Sequence, residues 1–497
     1  MTRANVPDYA DHDGVGLAAL VRRREVSAAE LVETAIQRIE ALNPKLNAVV
    51  IKTYDVGRNI GADLRGPFAG VPFLLKNLGA YAKGIPLTRG SRFLDGFVPD
   101  FDTMLVARYR DAGFRILGRT NSPEFGMATT TEPAFHGPTR NPWNLERSPG
   151  GSSGGAAAAV ASGMLPVAHA NDAGGSMRIP AAFCGLFGLK PSRGRTPQGP
   201  KFGNRWRGFV HDHVITRTVR DSAAVLDATC GPTIATHAYV PPPERPFLDE
   251  VEREPRSLRI AFSAAPPIEV PVHPECRKAA EAAARLCEGL GHRVEEAAPA
   301  FDAMGFFRAY LTIASICAAV DMLNDEEMVG RKAKRGDHED ITRLMCLFGR
   351  SLSATDYERA HLSLWDAVLA IAAMFERYDV LLTPTTAIPP PAIGGGALKA
   401  RRAFAERFSE QLDRGDPIDL RPELDALILR SYTTTPFCVL HNVTGFPSMS
   451  VPLSWMEDGL PLGVQFTAPM GDEATLFRLA GQLERAQPWV HRRPPVS

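Results

Sequence analysis

Short apolar segments alternate with helical patterns along the N-terminal half of the chain, and this alternation restricts the fold more than any other feature. The strand-like segments lie at 68–79, 115–121 and 165–170, and the helical patterns lie at 103–114 and from Ala156 onward. Strands that lack polar alternation are buried on both faces. The pattern therefore predicts an α/β fold with helices on both faces of a largely buried sheet.

Local signals delimit the first helix. Ser27 and Glu30 have the S-x-x-E spacing of a capping box. Apolar residues then recur on one helical face over 28–42. The dipeptide Asn43-Pro44 predicts the end of this helix, because proline has no N–H for a helical hydrogen bond.

Composition excludes several classes of protein. The 497 residues carry 56 Lys and Arg against 56 Asp and Glu, so neither nucleic acid nor a membrane is an expected partner. The sequence shows no secretory leader and no uninterrupted apolar run of about 18 residues, and its seven cysteines lack C-x-x-C spacing. We expect a cytoplasmic monomer or homodimer without metal, cofactor or disulfide framework.

No repeat and no clear boundary divides the chain, so we predict a single domain over 1–497. The charged segment within 394–431 has two interpretations, a solvated helix or a mobile lid over a pocket, and its charge pattern favours the solvated helix. The two histidines of His211-Asp212-His213 lack a nearby third ligand, so no metal site is expected there.

The stretch 148–163 places glycines around Ser152 and Ser153 and continues into alanines. A flexible linker is disfavoured because an apolar helix follows at once, and a phosphate loop is disfavoured because the terminal Gly-Lys-Ser/Thr is missing. Both serines fit a G-x-S-x-G frame, which needs an acid and a histidine later in the chain. His441 is a candidate, but twelve histidines offer one by chance.

A second glycine-serine signal and a lysine favour serine chemistry with a base other than histidine. Ser176 follows a glycine pair within 171–191, and Lys76 lies in the apolar segment 68–79. Lysine accepts a serine proton only when neutral, which means lowering its pKa from roughly 10.4 towards 7, on the order of 5 kcal/mol. Full burial shifts a lysine pKa by about 3–5 units, so this apolar setting is sufficient.

These segments resemble the amidase signature family of serine hydrolases. The resemblance rests on 70–77, 148–160 and 171–192, on the separation of 24 residues from Ser152 to Ser176, and on further segments between residues 15 and 490. It implies the amidase-signature fold, a large twisted mixed β-sheet covered by helices on both faces. It also implies a signature core at 65–225 and a helical, pocket-forming and C-terminal part at 226–497.

The resemblance implies roles for the serines and the lysine. Ser176 is then the acylated nucleophile, and Ser152 relays its proton to Lys76, which acts as general base and later as acid. The peptide bond between Gly151 and Ser152 is expected to be cis. Ser153 is expected to support the loop and not to react.

The resemblance also implies how the oxyanion is stabilised. The expected donors are the backbone N–H groups of Ala173, Gly174, Gly175 and Ser176. Each such donor is typically worth about 3 kcal/mol in the transition state. Asp172 and Arg178 match fixed positions of the signature, where supporting hydrogen bonds are expected.

Two positions depart from the family pattern. Asn77 stands where an aspartate commonly follows the lysine, and Ala170-Asn171-Asp172 stands where the family frequently has Gly-Thr-Asp. Loss of a carboxylate next to Lys76 should make the neutral lysine easier to reach.

Within the family, three segments are most similar to the 6-aminohexanoate-cyclic-dimer hydrolases, which open nylon-related cyclic amides. They are 129–144, 169–182 and 311–321. In that subgroup a cysteine helps to bind substrate, and Cys317 matches it. The alternative for Cys317 is a small buried helix residue.

The substrate is expected to be a small, neutral, fairly apolar amide. The predicted acyl pocket, segment 125–135 with Gly126, Met127, Thr129 and Thr130, carries no lysine or arginine. Linear and cyclic amides, anilides and carbamates present the same carbonyl to the nucleophile. The alternative functions are a glutamine-hydrolysing subunit of an amidotransferase-like assembly and an anion-binding module.

Overall fold

The computed structural model describes residues 6–59, 65–201, 203–233 and 238–497. Its strands are β1 (Val49–Lys52), β2 (Pro72–Lys76), β3 (Arg115–Thr120), β4 (Val167–Asp172), β5 (Phe187–Lys190), β6 (His211–Thr216), β7 (Arg259–Phe262), β8 (Arg293–Glu296), β9 (Val380–Pro384), β10 (Ser448–Trp455) and β11 (Pro461–Thr467). Its α-helices are α1 (Gly14–Arg22), α2 (Ala28–Leu46), α3 (Tyr54–Arg58), α4 (Met104–Asp111), α5 (Gly154–Ala161), α6 (Arg178–Cys184), α7 (Val219–Thr229), α8 (Phe247–Val251), α9 (Pro274–Gly289), α10 (Ala303–Val329), α11 (Asp340–Ser351), α12 (Ala354–Met374), α13 (Gly396–Glu406), α14 (Ser409–Arg414), α15 (Leu424–Ser431), α16 (Val439–Thr444) and α17 (Glu473–Ala486).

The strands join in one mixed sheet with the order β1-β3-β2-β4-β6-β5-β10-β11-β9-β7-β8. β2 runs parallel to both β3 and β4, whereas the pairs from β4 to β9 are antiparallel. Because β2 and β4 are parallel neighbours, their carboxyl ends reach the same edge of the sheet. Lys76 ends β2, and Asp172 ends β4.

The centre of the sheet is buried on both faces. Every residue of β2, β4, β5, β6, β9 and β11 is buried. Since successive side chains of a strand point to opposite faces, both faces of these strands are covered. The predicted α/β fold, a large mixed sheet between layers of helices, is confirmed.

Helix α5 shows why the alanine-rich run is needed. All eight of its residues are buried, and it packs against β4, β2 and β3. A Cβ added to Gly155 would lie 2.4 Å from the backbone N of Asn121 and 2.7 Å from the carbonyl of Ala48. Small residues therefore let this helix approach the sheet closely and bring its N-terminus to the carboxyl ends of β2 and β4.

A second apolar core lies in the helical part of the chain. Helix α10 packs against α11 and α12, and α13 packs against α11 and α15. By length and composition α10 could cross a membrane, but more than half of its most apolar window is buried inside the protein. The helix supplies core residues such as Phe307 and Ile313.

Helix α2, which the capping-box spacing predicts, ends later than the sequence indicates. The capping box of Ser27 and Glu30 is present, but α2 continues through Pro44 to Leu46. Proline removes only one hydrogen bond from the last turns of the helix. The helix ends at Asn47, which adopts the left-handed conformation with φ 49°.

Candidate active site

Lys76 lies at the carboxyl end of β2 and is wholly buried. Its Nζ atom is 2.7 Å from Oγ of Ser152 and 2.6 Å from Oδ1 of Asn171. Burial removes the ammonium from water, which lowers the pKa of Lys76 to about 7. A lysine with this pKa is substantially neutral near neutral pH, and a neutral amine accepts a proton.

The residue before Ser152 has to be a glycine, because no side chain fits at position 151. The peptide bond between Gly151 and Ser152 is cis, as predicted. A Cβ at Gly151 would lie 2.7 Å from backbone atoms of Ala128 and of Thr130. The Ser152 side chain is buried, directly before α5, and this position places its hydroxyl on Lys76.

Ser153 forms two hydrogen bonds that connect the loop before α5 to neighbouring segments. Its backbone N–H donates to the carbonyl of Ser176 at 3.1 Å. Its hydroxyl donates to the carbonyl of Asn171 at 3.2 Å. Ser153 thereby ties the loop before α5 to the segment that carries Ser176.

Ser176 lies on the loop between β4 and α6, and its side chain is partly exposed to a cavity that Ser152 also lines. Tyr310 donates its hydroxyl to the carbonyl of Ala173 at 2.9 Å, which holds the start of this loop. The two serines that the sequence analysis singled out therefore meet at one cavity wall, with Lys76 buried behind Ser152.

Asp172 and Arg178 form the buried support of this loop. Arg178 donates to both carboxylate oxygens of Asp172, at 2.9 Å and 3.0 Å, and both side chains are wholly buried. Asp172 also accepts from the amide of Asn442 at 2.8 Å, and Arg178 donates to Gln465 at 2.7 Å. The Arg178 guanidinium and these hydrogen bonds outweigh burial and hold the pKa of Asp172 well below its usual range.

The predicted oxyanion donors are not equivalent. Ala173, Gly174 and Ser176 line the cavity, but Gly175 does not. The Gly175 N–H donates to Oδ1 of Asp172 at 2.7 Å. Gly175 is therefore removed from the predicted donors, because the Asp172 carboxylate already accepts from its amide, and the other three N–H groups stay a prediction.

Asn171 is a site residue whose role the sequence analysis missed. Its Oδ1 accepts from Lys76 Nζ, and its side-chain amide donates to the carbonyl of Leu78 at 2.9 Å. The signal was present, since position 171 was one of the two departures from the family pattern. Asn77, the other departure, bonds Thr88 through both ends of its amide, at 2.6 Å and 2.9 Å, and does not reach the Lys76 amine.

The cavity in front of the serines has a volume of about 190 Å³. Three of the predicted substrate-binding residues, Gly126, Met127 and Thr129, lie in its wall. A Cβ at Gly126 would lie 3.1 Å from Oγ of Ser152, so this position borders the Ser152 hydroxyl. Thr130 does not line the cavity; it is buried beneath the wall, where its backbone faces Gly151.

Cys317 also lies outside the cavity wall. It lines an adjacent surface groove, and Trp206 and Asp321 line both spaces. The indole N–H of Trp206 donates to Asp321 at 3.1 Å, so a hydrogen-bonded pair belongs to both the groove and the cavity wall. The prediction that Cys317 contacts the substrate is not supported by this arrangement, and burial raises the pKa of its thiol to about 12.

The segment 394–431 is more than a solvated surface. Arg401 of α13 and Leu427 and Ser431 of α15 line the cavity. Phe404 and Ile428 are buried in the helical core. The favoured interpretation as a solvated helix is therefore wrong for the inner faces of α13 and α15, because these faces close one end of the cavity.

The histidines of the 211–213 segment have separate partners. His211 bonds the carbonyl of Phe209 at 2.8 Å, and His213 bonds the hydroxyl of Ser222 at 2.9 Å. Among the residues that the structure describes, no group of histidine, cysteine and carboxylate side chains has the arrangement of a metal site.

Most charged groups at the cavity are paired. Arg89 donates to Asp325 at 2.7 Å and to Asp321 at 3.0 Å, and burial raises the pKa of Asp325 to about 6. Arg205 forms an ion pair with Asp212. The segment 125–135 contributes no cation, as the sequence indicated, but other parts of the chain bring arginines to the cavity wall.

Comparison with known proteins agrees with this geometry. A family model for amidases matches residues 30–477. The chain is 38% identical to the 6-aminohexanoate-cyclic-dimer hydrolase of Pseudomonas sp. (strain NK87), over 97% of this chain and 96% of that protein. A solved structure of a 6-aminohexanoate cyclic dimer hydrolase with bound substrate has a TM-score of 0.90 and 37% identity, covering 98% of this chain and 99% of that one. A bacterial aryl acylamidase of the amidase signature family has a TM-score of 0.83 and 28% identity, covering 96% of each chain.

Proposed function

The chain belongs to the amidase signature family and is an amide hydrolase, and from this premise we propose that it cleaves small, fairly apolar amides through Ser176, Ser152 and Lys76. The observation that carries the proposal is the 2.7 Å contact between the buried Lys76 amine and the Ser152 hydroxyl, beside the cavity that Ser176 faces. A buried lysine whose pKa is about 7 is the base that a histidine-free serine site requires.

Acylation follows from this arrangement. The Ser176 hydroxyl attacks the substrate carbonyl and passes its proton to Ser152, which passes its own proton to Lys76. The negative charge that develops on the carbonyl oxygen is stabilised by the backbone N–H groups of Ala173, Gly174 and Ser176. The protonated Lys76 then returns the proton, through Ser152, to the leaving amine.

Deacylation follows the same steps as acylation, with water as the nucleophile. Lys76, again through Ser152, removes a proton from water, and the hydroxide attacks the Ser176 ester. The carboxylic acid product leaves, and Ser176 recovers its proton. Every proton transfer uses groups of this chain.

The substrate range follows from the cavity and from the relatives. The wall near the serines is formed by small or apolar residues such as Gly126, Met127 and Ile179. Linear and cyclic amides and anilides therefore fit this proposal, and relatives are named as hydrolases of a cyclic amide and of aryl acylamides. Carbamates present the same carbonyl, so we include urethane cleavage in the proposed range.

The test combines turnover with covalent labelling. Wild-type protein should hydrolyse hexanoic acid 4-nitroanilide, and Ser176→Ala should lose at least about 10³-fold in kcat/KM. A fluorophosphonate probe should add its mass to Ser176 in the wild type and not in the variant. Ser162→Ala, at the far end of α5, is the matched control and should keep both activity and labelling. Wild-type turnover by Ser176→Ala would overturn the proposal.

The glutamine-hydrolysing alternative is not better supported. The relative and the structures described above are named as 6-aminohexanoate cyclic dimer hydrolases and an aryl acylamidase. Ammonia release from glutamine, compared with release of 4-nitroaniline from the anilide, separates the two activities. A kcat/KM for glutamine above that for the anilide would favour the alternative.

A further inference from the structure

One cation at the cavity has no acceptor among the residues that the structure describes. Arg401 of α13 lines the cavity, and within the described parts of the chain its guanidinium forms no hydrogen bond and no ion pair. Glu339 acts on it electrostatically, but no ion pair forms between them, and Glu339 accepts from the N–H of Ala134 at 2.9 Å. Burial lowers the pKa of Arg401 from its ordinary value, so the guanidinium has lost part of its hydration without gaining an acceptor.

The cavity wall to which Arg401 belongs carries both apolar side chains and hydroxyl groups. Ile341 and Leu427 line the same cavity, together with Ser431 and Tyr432. The Tyr432 hydroxyl lies within the electrostatic reach of Arg401. This end of the cavity, which we name the Arg401 end, thus offers a guanidinium and hydroxyl donors inside an apolar wall.

The other two arginines in the described cavity wall are paired with carboxylates. Arg89 is held by Asp321 and Asp325, and Arg205 is held by Asp212. An anion that enters the cavity therefore finds in Arg401 the one arginine of the described cavity wall that forms no ion pair, since Glu339 acts on it only from beyond ion-pair distance. A partly desolvated guanidinium gains most from a planar carboxylate, which it binds through two parallel hydrogen bonds.

We propose that Arg401 binds a carboxylate of the substrate, so that the preferred substrates are amides with a carboxylate remote from the scissile bond. The inference rests on the proposed function, because it places this carboxylate and the carbonyl attacked by Ser176 in one cavity. It also refines the expectation of a neutral substrate: the reacting end is apolar, and the Arg401 end carries the charge recognition. Monoamides of dicarboxylic acids and amides of amino-carboxylic acids have this chemistry.

The first experiment compares matched anilides. The kcat/KM of wild-type protein should be about tenfold to 100-fold higher for the mono-4-nitroanilide of adipic acid than for hexanoic acid 4-nitroanilide, since a hydrogen-bonded charge is worth about 1.5–3 kcal/mol. The hexanoyl amide of 4-aminobenzoate, followed by product chromatography against hexananilide, places the carboxylate on the amine half. If the carboxylate-bearing substrate is preferred in only one of the two pairs, that pair shows whether the acyl half or the amine half of the substrate reaches Arg401. Equal kcat/KM within both pairs would overturn the inference while leaving the proposed function intact.

The second experiment uses substitutions. Arg401→Met should bring the ratio between the charged and uncharged substrates towards one, and Arg401→Lys should keep part of it. Arg402→Met is the matched control, because Arg402 is the next residue of α13 and its side chain is exposed. An unchanged ratio in Arg401→Met overturns the inference, whatever its effect on overall activity.

A binding measurement separates the two proposals. In Ser176→Ala, adipic acid monoanilide should raise the melting temperature more than hexananilide does, and Arg401→Met in that background should remove the difference. If binding depends on Arg401 in this way but wild-type protein hydrolyses neither anilide, the inference stands and the proposed function fails. If binding shows no dependence on Arg401, the inference fails.

Discussion

Nζ of Lys76 lies 2.6 Å from Oδ1 of Asn171, at the ends of the two neighbouring parallel strands β2 and β4. The acceptor is an amide oxygen, which fixes the lysine side chain without adding a full negative charge. Burial lowers the pKa of Lys76 to about 7. The amine is therefore held in position against Ser152 and stays available as a base.

Replacing this amide by a carboxylate should change the pH dependence of the reaction. In Asn171→Asp, a negative charge in contact with the amine favours the ammonium form and raises the Lys76 pKa by about 1–3 units. The acid limb of the kcat/KM profile against pH, which we expect near pH 7 in the wild type, should move up by the same amount. Profiles of 4-nitroanilide hydrolysis between pH 5.5 and 10 measure the shift.

Asn77→Asp is the matched control for that variant. It makes the same chemical change one residue beyond Lys76, but Asn77 is bonded to Thr88 and not to the amine. Its profile should shift by less than the profile of Asn171→Asp. A larger shift in Asn77→Asp would contradict the role assigned to Asn171.

Adding a methyl group at Gly126 should impair catalysis more than folding. Its φ is 71°, and a Cβ would lie 2.6 Å from Leu78 and 3.1 Å from Oγ of Ser152. Displacing a reacting group by about 1 Å can cost on the order of 10²-fold in rate. We expect a loss of that order in kcat/KM for Gly126→Ala.

Gly137→Ala controls for backbone strain. Gly137 has nearly the same φ, 76°, but a Cβ there would meet only Asn47, at 3.7 Å. Both variants should lose about 1–2 kcal/mol of stability, the usual cost of a left-handed residue. Urea unfolding measures this loss of stability. A similar fall in kcat/KM for Gly126→Ala and Gly137→Ala would contradict the prediction.

Breaking the buried pair behind the Ser176 loop should destabilise the protein. Arg178→Met leaves the Asp172 carboxylate buried without its cation, which typically costs about 3–5 kcal/mol. The double variant Asp172→Asn with Arg178→Met removes the stranded charge and should recover part of this loss. Urea unfolding free energies of the two variants provide the comparison, and no recovery in the double variant would argue against a charge effect.

The buried amine should also make stability depend on pH. Between pH 7 and the ordinary lysine pKa of 10.5, the unfolded chain keeps a proton that folded Lys76 has lost. The unfolding free energy of the wild type should therefore rise with pH relative to Lys76→Met, by up to about 1.4 kcal/mol per pH unit. The hydrogen bonds that are lost in Lys76→Met change the unfolding free energy by the same amount at every pH.

Unfolding of wild type and Lys76→Met at pH 7, 8 and 9 checks this slope, because other titrating groups cancel in the difference. The variant should have its largest relative stability at pH 7, where the wild type bears the full cost of burying the amine. A difference that stays constant with pH would show that Lys76 has an ordinary pKa.

Much of the site could be predicted from local sequence. The apolar run around Lys76 predicts a buried strand, and the structure places Lys76 in β2 with no exposure. The glycines before Ser152 and Ser176 predict unusual backbone, and the cis bond after Gly151 and φ of 116° at Gly175 agree. Local composition is informative there because backbone space and burial are properties of short segments.

Other residues escaped prediction because their roles depend on contacts between distant segments. Gly175 was expected to donate to substrate, but Asp172 takes its amide. For Cys317 the sequence leaves substrate contact and simple burial open, and the structure places it in a groove beside the cavity and not in the cavity wall. Such outcomes follow from side-chain competition in three dimensions, which motif spacing does not describe.

The amino-acid sequence by itself determined the family, the buried strands and the identity of the two serines and the lysine, because those features depend on residue type and short-range periodicity. The tertiary structure decided which side chains share the site. It brings Asn171 to Lys76 through the parallel register of β2 and β4, and it brings Arg401 to the cavity through the packing of α13 on α11 and α15. The physical reason is that burial and electrostatic coupling act over a few ångströms of space, whatever the separation along the chain.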